Sequence, residues 1–253
     1  MKIFLSSIEN GKSNNKESYQ YFIEKGLKMK YNLMSYYYIR GNKYNIAKDI
    51  RDNTDEILID SGAHSFQKGK KVNWIEFTKE YAQFIKKFDS PNVIGYFEMD
   101  VDNIIGYDKV LELRKILENA SNKIIPVWHK NRGIGDFKQM CEDYAGRIIA
   151  ITGFKNEDIK DEQYLMFLKY AKKFNCKVHC LGMTRKKVLD KIPFDYVDSS
   201  SWKQSSLYGR IGDKRVSQQQ SHKDRNVIFY ENYKLGMKMQ EYYYKKWQKV
   251  CKD

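Results

Sequence analysis

The chain has 253 residues, 42% of them hydrophobic, and a formal net charge of +14. That is enough for one large core, and no run approaches the roughly 18 to 20 apolar residues of a membrane span. The charge favours a polyanionic partner such as nucleic acid, although a generally Lys-rich composition accounts for it equally well.

The opening "MKIFLSSIENG" reads as a first strand rather than a signal peptide. Short apolar, β-prone runs then alternate with longer amphipathic ones. The strand candidates are 2–6, 33–39, 56–60, 93–100, 123–129, 147–154, 177–183 and 195–201. Helical patterns lie between them at 73–88, 107–120 and 162–174. In the first, Trp74, Phe77, Tyr81, Phe84, Ile85 and Phe88 recur at helical spacing, which marks a core-facing stripe. Eight strands alternating with helices predict an α/β fold, a (β/α)8 TIM barrel. The alternative is an open doubly wound sheet. No linker or internal repeat divides the chain, so a single domain is expected. Residues 1–226 would form the barrel, and 227–253 a C-terminal helix packed on it. Cys141, Cys176, Cys180 and Cys251 show no paired spacing, which suggests a reduced, cytoplasmic setting.

Barrel active sites sit at the carboxyl ends of the strands. The residues expected there are Ser6, Tyr38, Asp60, Asp100, His129, Gly153, Gly182 and Asp198. In "ILIDSGAHSFQ" (57–67) an apolar strand stops on Asp60 and continues through Ser61, Gly62 and Ala63. The plain explanation is a capped turn. The functional one is that small residues let a flat ligand approach the backbone. Glu98, Asp100 and Asp102 share strand parity and could face one side. Asp195 and Asp198, three apart, face opposite sides of a regular strand, so at most one enters the mouth. Metal chemistry is not expected. Cys176 and Cys180 would stand roughly 13 Å apart on a strand rising about 3.3 Å per residue, and no C-x2-C occurs. The stretch 209–214 does not have P-loop spacing. His64 and His222 fall in loop-like segments. Several carboxylates without metal ligands suit acid–base and nucleophilic work at a sugar carbon.

These motifs resemble, in order, those of the tRNA-guanine transglycosylase superfamily. "LIDSGAHSFQ" resembles its "DSGGFQ" signature, and "YFEMD" its strand-four segment. "AITGF" sits at the place of its Gly-rich base-binding turn. "HCLGMT" resembles its "LMGVG" segment, and "FDYVDSSSW" lies where it carries a nucleophilic Asp. The resemblance spans roughly residues 56 to 202. It implies a (β/α)8 barrel that exchanges guanine in a nucleic acid for a 7-deazaguanine base. Asp60 would be the general acid/base and Asp100 the base-reading carboxylate. Gly153 and Gly182 would line the base pocket. "FDYV" resembles "FDCV" and points to Asp195 as nucleophile. "VDSSSW" resembles short phage-type relatives and points to Asp198, which is preferred because small serines follow it. Ser61, Gly62, Phe66 and His129 are further substrate contacts on this reading, with Trp128 and Tyr96 as stacking or shape contacts. No cofactor and no metal are implied.

The tRNA enzymes of the family carry a C-x-C-x2-C zinc insertion and are longer; this chain has no such motif. Short zinc-free relatives insert 7-deazaguanines into DNA. DNA is therefore favoured over tRNA as partner, with guanine and a 7-deazaguanine as the exchanged bases. Two other classes remain: a barrel enzyme on a small glycosidic or phosphorylated substrate, and a non-catalytic nucleic-acid-binding partner subunit.

Overall fold

The structure is a computed structural model and describes residues 1–13, 16–66, 72–153, 159–217 and 225–250. His222 and Cys251 lie outside the described residues. Nine strands form one sheet: β1 (Lys2–Ser6), β2 (Met29–Ser35), β3 (Thr54–Asp60), β4 (Val93–Phe97), β5 (Ile124–Ile125), β6 (Val127–Trp128), β7 (Ile148–Thr152), β8 (Lys177–Leu181) and β9 (Tyr196–Ser199). Their order is β5-β4-β3-β2-β1-β9-β8-β7-β6, and the pairs are parallel. The two ends of this sheet, β5 and β6, are separated only by Pro126. Proline has no N–H for the ladder, so the segment splits there. Its first half pairs with β4 and its second with β7, while the Pro126 carbonyl accepts from the Ala150 amide at 2.9 Å. The ring thus closes through one interrupted segment, and the expected TIM-barrel-like fold is present.

Side chains alternate across each strand. Phe4, Leu33, Leu58, Phe97, Val127 and Tyr196 point inward and form a buried cluster that fills the barrel. Two residues further along the same inward faces come Ser6, Ser35, Asp60 and Asp198. The period of two that packs the interior therefore delivers polar groups to the mouth. The helices cover the outside. Trp74–Phe88 begins at Asn73, whose side chain accepts the Glu76 amide at 3.3 Å. Its Tyr81, Ile85 and Phe88 are fully buried, each side chain worth roughly 1.5–3 kcal/mol in removed apolar surface.

Two expected strands end differently. The 33–39 run is only partly strand: β2 stops at Ser35 and Tyr36–Ile39 turns helical. Tyr36 stacks on Tyr81 with centroids 4.7 Å apart, a packing reward that outweighs its β-propensity. Strand β4 stops at Phe97 rather than residue 100. The buried Glu98 carboxylate instead accepts from Arg114 Nε and Nη2 at 2.5 and 3.1 Å and from the Val127 amide at 2.6 Å.

The C-terminal helix, Arg225–Val250, is part of the barrel wall. Gly236 lets it approach β1: an added Cβ there would stand 2.9 Å from the Leu5 methyls. Gln240 Nε2 donates to the carbonyls of Ile3 and Tyr31 at 2.8 and 2.9 Å. Among the described residues, no helix is long and apolar enough to cross a membrane.

Candidate active site at the mouth of the barrel

A cavity of about 300 Å³ opens at the carboxyl ends of the strands, walled by Glu9, Ser35, Asp60, Asp100, Gly182 and Asp198 among others. This is the small end of the range for small-molecule sites, roughly 300–1,000 Å³. A larger recess of about 470 Å³ opens at the amino ends, beside Lys2, Glu56, Lys123 and Arg147. Its charges are largely answered, by Lys2–Glu56 at 2.5 Å and by Lys123–Asp89 at 2.9 Å. That end of a barrel serves stability, so the smaller, acidic cavity is the candidate site.

Asp60 ends β3 on the inward face. Its Oδ2 accepts the Gly62 amide at 3.0 Å, so the turn-capping role is real. Gly62 has φ +76°, and a Cβ there would collide with Tyr37 Cβ and lie 2.7 Å from Ser35 Oγ. The small residues after Asp60 are required by this left-handed turn and by the chain packed on it. The same carboxylate also walls the cavity, so the turn-capping side chain faces the mouth as well. Ser61 is fully buried, and its Oγ has no partner among the described residues.

Asp198, the penultimate residue of β9, is held by three groups. Ser6 Oγ donates to Oδ2 at 3.3 Å; the Gly182 amide and His179 Nε2 reach Oδ1 at 2.8 and 3.0 Å. A carboxylate only accepts, so His179 carries its proton on Nε2. His179 is fully buried inside the barrel, its ring centroid 5.0 Å from that of Phe97. Gly182 supplies its amide from a left-handed turn, φ +62°.

Asp100 is 7% exposed, and its Oδ1 lies 2.5 Å from His129 Nε2. Burial works against an imidazolium, but the Asp100 hydrogen bond and the charges of Asp100 and Asp102 outweigh it and raise His129 above its ordinary value. His129 therefore stands behind Asp100 and orients it. Asp102 is turned away to Arg132, with Nε at 3.1 Å from Oδ2, while the Asn103 amide takes Oδ1 at 3.0 Å. Asp100, Asp102 and His129 bring ligand-type atoms within 4.8 Å of one another. The Arg132 guanidinium sits beside the cluster, 3.1 Å from Asp102 Oδ2. The cluster reads as an ion-pair network that sets Asp100.

Other expected contacts lie elsewhere. Asp195 precedes β9 at the opposite end of the strand, where its carboxylate accepts the Val178 amide at 2.8 Å. Of the two candidate nucleophiles, the structure brings only Asp198 to the mouth. Tyr96 and Trp128 are adjacent to the inward Phe97 and Val127, so parity turns them outward. Tyr96 OH donates to Asp89 at 2.9 Å, and Trp128 packs on Phe137 and Phe167. Phe66 packs edge-on against Tyr37, Trp74 and Phe77. Gly153 is needed for close packing: a Cβ would stand 2.7 Å from Cys180 Sγ and 2.8 Å from the Leu181 carbonyl oxygen.

Sequence reasoning missed Glu9, in the short 3-10 turn Ile8–Asn10 after β1. It is 1% exposed and walls the cavity. Its Oε1 accepts the Ser35 amide at 3.2 Å; Oε2 has no partner among the described residues. Burial pushes its carboxyl up to about 7, against the hydrogen bonds and Lys203, with the Asp60 charge adding to the rise. The one sequence signal was an acid closely following a strand end, as Asp60 ends β3.

Fold and site together define a TIM-barrel-like protein whose mouth is walled by carboxylates. Comparison with known proteins finds no matching family model and no matching curated protein.

Proposed function

We propose that this protein is a pentosyltransferase that exchanges guanine in a nucleic acid, DNA in preference to tRNA, for a 7-deazaguanine base. The observation that carries the reading is the pair Asp60 and Asp198 on one small cavity, with Asp198 fixed by three hydrogen-bonding groups and Asp100 set for a second task. The net charge of +14 supports a polyanionic substrate, and the absence of a C-x-C-x2-C motif favours DNA.

The target nucleotide must leave its stack, because C1′ is unreachable inside a duplex. Asp198 attacks C1′. The C1′–N9 bond breaks, its electron pair goes to the base, and Asp60 delivers a proton to the departing guanine. A covalent sugar ester on Asp198 results. A 7-deazaguanine enters, gives its N9 proton to Asp60 and attacks C1′, and the carboxylate of Asp198 leaves. Two inversions retain the β configuration. Asp100, oriented by His129, accepts from the donor edge that guanine and its deaza analogue share. No cofactor enters this scheme.

Incubation with radiolabelled guanine and either DNA or tRNA tests it. Label in DNA is expected. Label in tRNA alone would change the polymer, and label in neither would reject base exchange.

A further inference from the structure

The mouth holds one more carboxyl than the scheme uses. Glu9 comes from the turn after β1, and its Oε1 sits 3.2 Å from the amide nitrogen of Ser35. Ser35 is the register partner of Asp60 across the β2–β3 ladder, and neighbouring strands lie about 4.8 Å apart. Glu9 thus binds the backbone beside Asp60, both side chains line the same cavity wall, and the Asp60 charge acts on Glu9. Its other oxygen, Oε2, is buried with no partner among the described residues. The cation nearest in effect is Lys203, from the helix Ser201–Leu207, but its Nζ donates to the Ser7 carbonyl at 3.3 Å. Burial lowers the Lys203 ammonium, Glu9 opposes that, and Lys43 adds to it. Among the described residues, the charges that act on Glu9 are Asp60 from β3 and Lys203, with Lys43 acting on the latter and Asp100 and Asp198 on the same cavity.

We propose that Glu9 and Asp60 form a carboxyl pair that keeps one proton in the mouth, making Glu9 a positioning residue for proton transfer by Asp60. Two like charges on one buried wall do not both ionise readily, so the pair titrates as a unit. The resting place of the proton is Glu9, the member that burial keeps neutral; once the proton has passed to Asp60, Glu9 is charged and steadied by the Ser35 amide and Lys203. In that second form the Glu9 charge raises the proton affinity of Asp60, so that Asp60 is the acid that meets the leaving base. When Asp60 has given its proton to the leaving base, Glu9 regains proton affinity until the incoming base returns one to Asp60. No net proton is consumed. The pair itself rests on the cavity wall alone; only the destination of the proton rests on the base-exchange reading.

The test is a carbon-13 carboxyl titration of the whole protein labelled at glutamate Cδ. A glutamate signal should titrate in the neutral range, vanish in Glu9→Gln, and move down by about one pH unit or more in Asp60→Asn. If Glu9→Gln does not fold, that displacement in Asp60→Asn alone decides. A Glu9 that titrates in the ordinary carboxylate range, or keeps its midpoint in Asp60→Asn, overturns the pair. Guanine exchange is measured beside it. In Glu9→Gln the alkaline limb should move to lower pH, with roughly 10- to 100-fold less exchange at pH 8. An unchanged profile overturns the positioning role while leaving base exchange intact. A coupled titration in a wild-type protein that exchanges no guanine leaves the pair standing and removes the base-exchange reading.

Discussion

The two ends of the barrel carry similar charged residues in opposite states. At the amino end Lys2 answers Glu56, Lys123 answers Asp89, and Asp195 accepts the Val178 amide. In the outer wall Gln240 Oε1 has no partner among the described residues, but a neutral amide oxygen is less costly to leave bare than a carboxylate one. At the carboxyl end Glu9 Oε2, Ser35 Oγ and Ser61 Oγ have no partner among the described residues. A buried polar group without a partner costs about 1–3 kcal/mol. Of these groups Glu9 and Ser35 line the cavity, so a ligand with polar groups facing them would relieve part of that cost. Asp195, just before β9, and Asp198, within it, lie three residues apart and reach opposite ends of the barrel.

The sharpest way to break this comparison is to neutralise those two acids in turn. Asp198→Asn should cut labelled-guanine exchange by about 10⁴-fold or more, whereas Asp195→Asn should keep it. A reversed ranking would move the site to the other end. Next in size is Asp60→Asn, expected to lose about 10²- to 10⁴-fold in exchange with little change in melting temperature, because Asn caps a turn as well as Asp. Near-normal exchange would reduce Asp60 to its turn.

Third, Arg114→Ala sharpens the contrast between structural and functional acids. It strands the buried Glu98 carboxylate, which should cost about 3–5 kcal/mol in denaturant unfolding. Exchange per folded molecule should hold; a specific loss would draw Glu98 into the chemistry.

The smallest effect concerns pH. Glu9 is raised to about 7 in the folded chain and titrates near roughly 4.3 unfolded. Between those values the folded chain binds the extra proton. The stabilising contribution is therefore full below roughly pH 4.3 and is lost as pH rises through about 7, up to about 4 kcal/mol in all. Unfolding of wild type and Glu9→Gln at pH 5 and pH 8 checks it: the stability gap should move against wild type at pH 8. A constant gap would mean Glu9 is not buried in its acid form.

Much of the fold was legible because period-two apolar runs mark strands locally, and β3, β8 and β9 lie where such runs predict. The same parity, applied to Phe97 and Val127, would have sent Tyr96 and Trp128 outward. What the sequence hid was set by distant partners. Tyr36 looks like strand until Tyr81 is placed under it. Glu98 looks like a mouth acid until Arg114 reaches it across the outer face. Glu9 looks like an ordinary turn acid, because Ser35 and Lys203, which bury it, are remote in the chain. Asp60 and Asp198 were legible since each ends an apolar run with inward parity.

The most direct measurement is capture of the sugar–enzyme intermediate. Wild-type protein is mixed with guanine-containing DNA, denatured, and analysed by intact mass. The account predicts a DNA adduct that survives denaturation, maps to Asp198 and is absent from Asp198→Asn. No adduct on DNA or tRNA, or an undiminished adduct in Asp198→Asn, would contradict it.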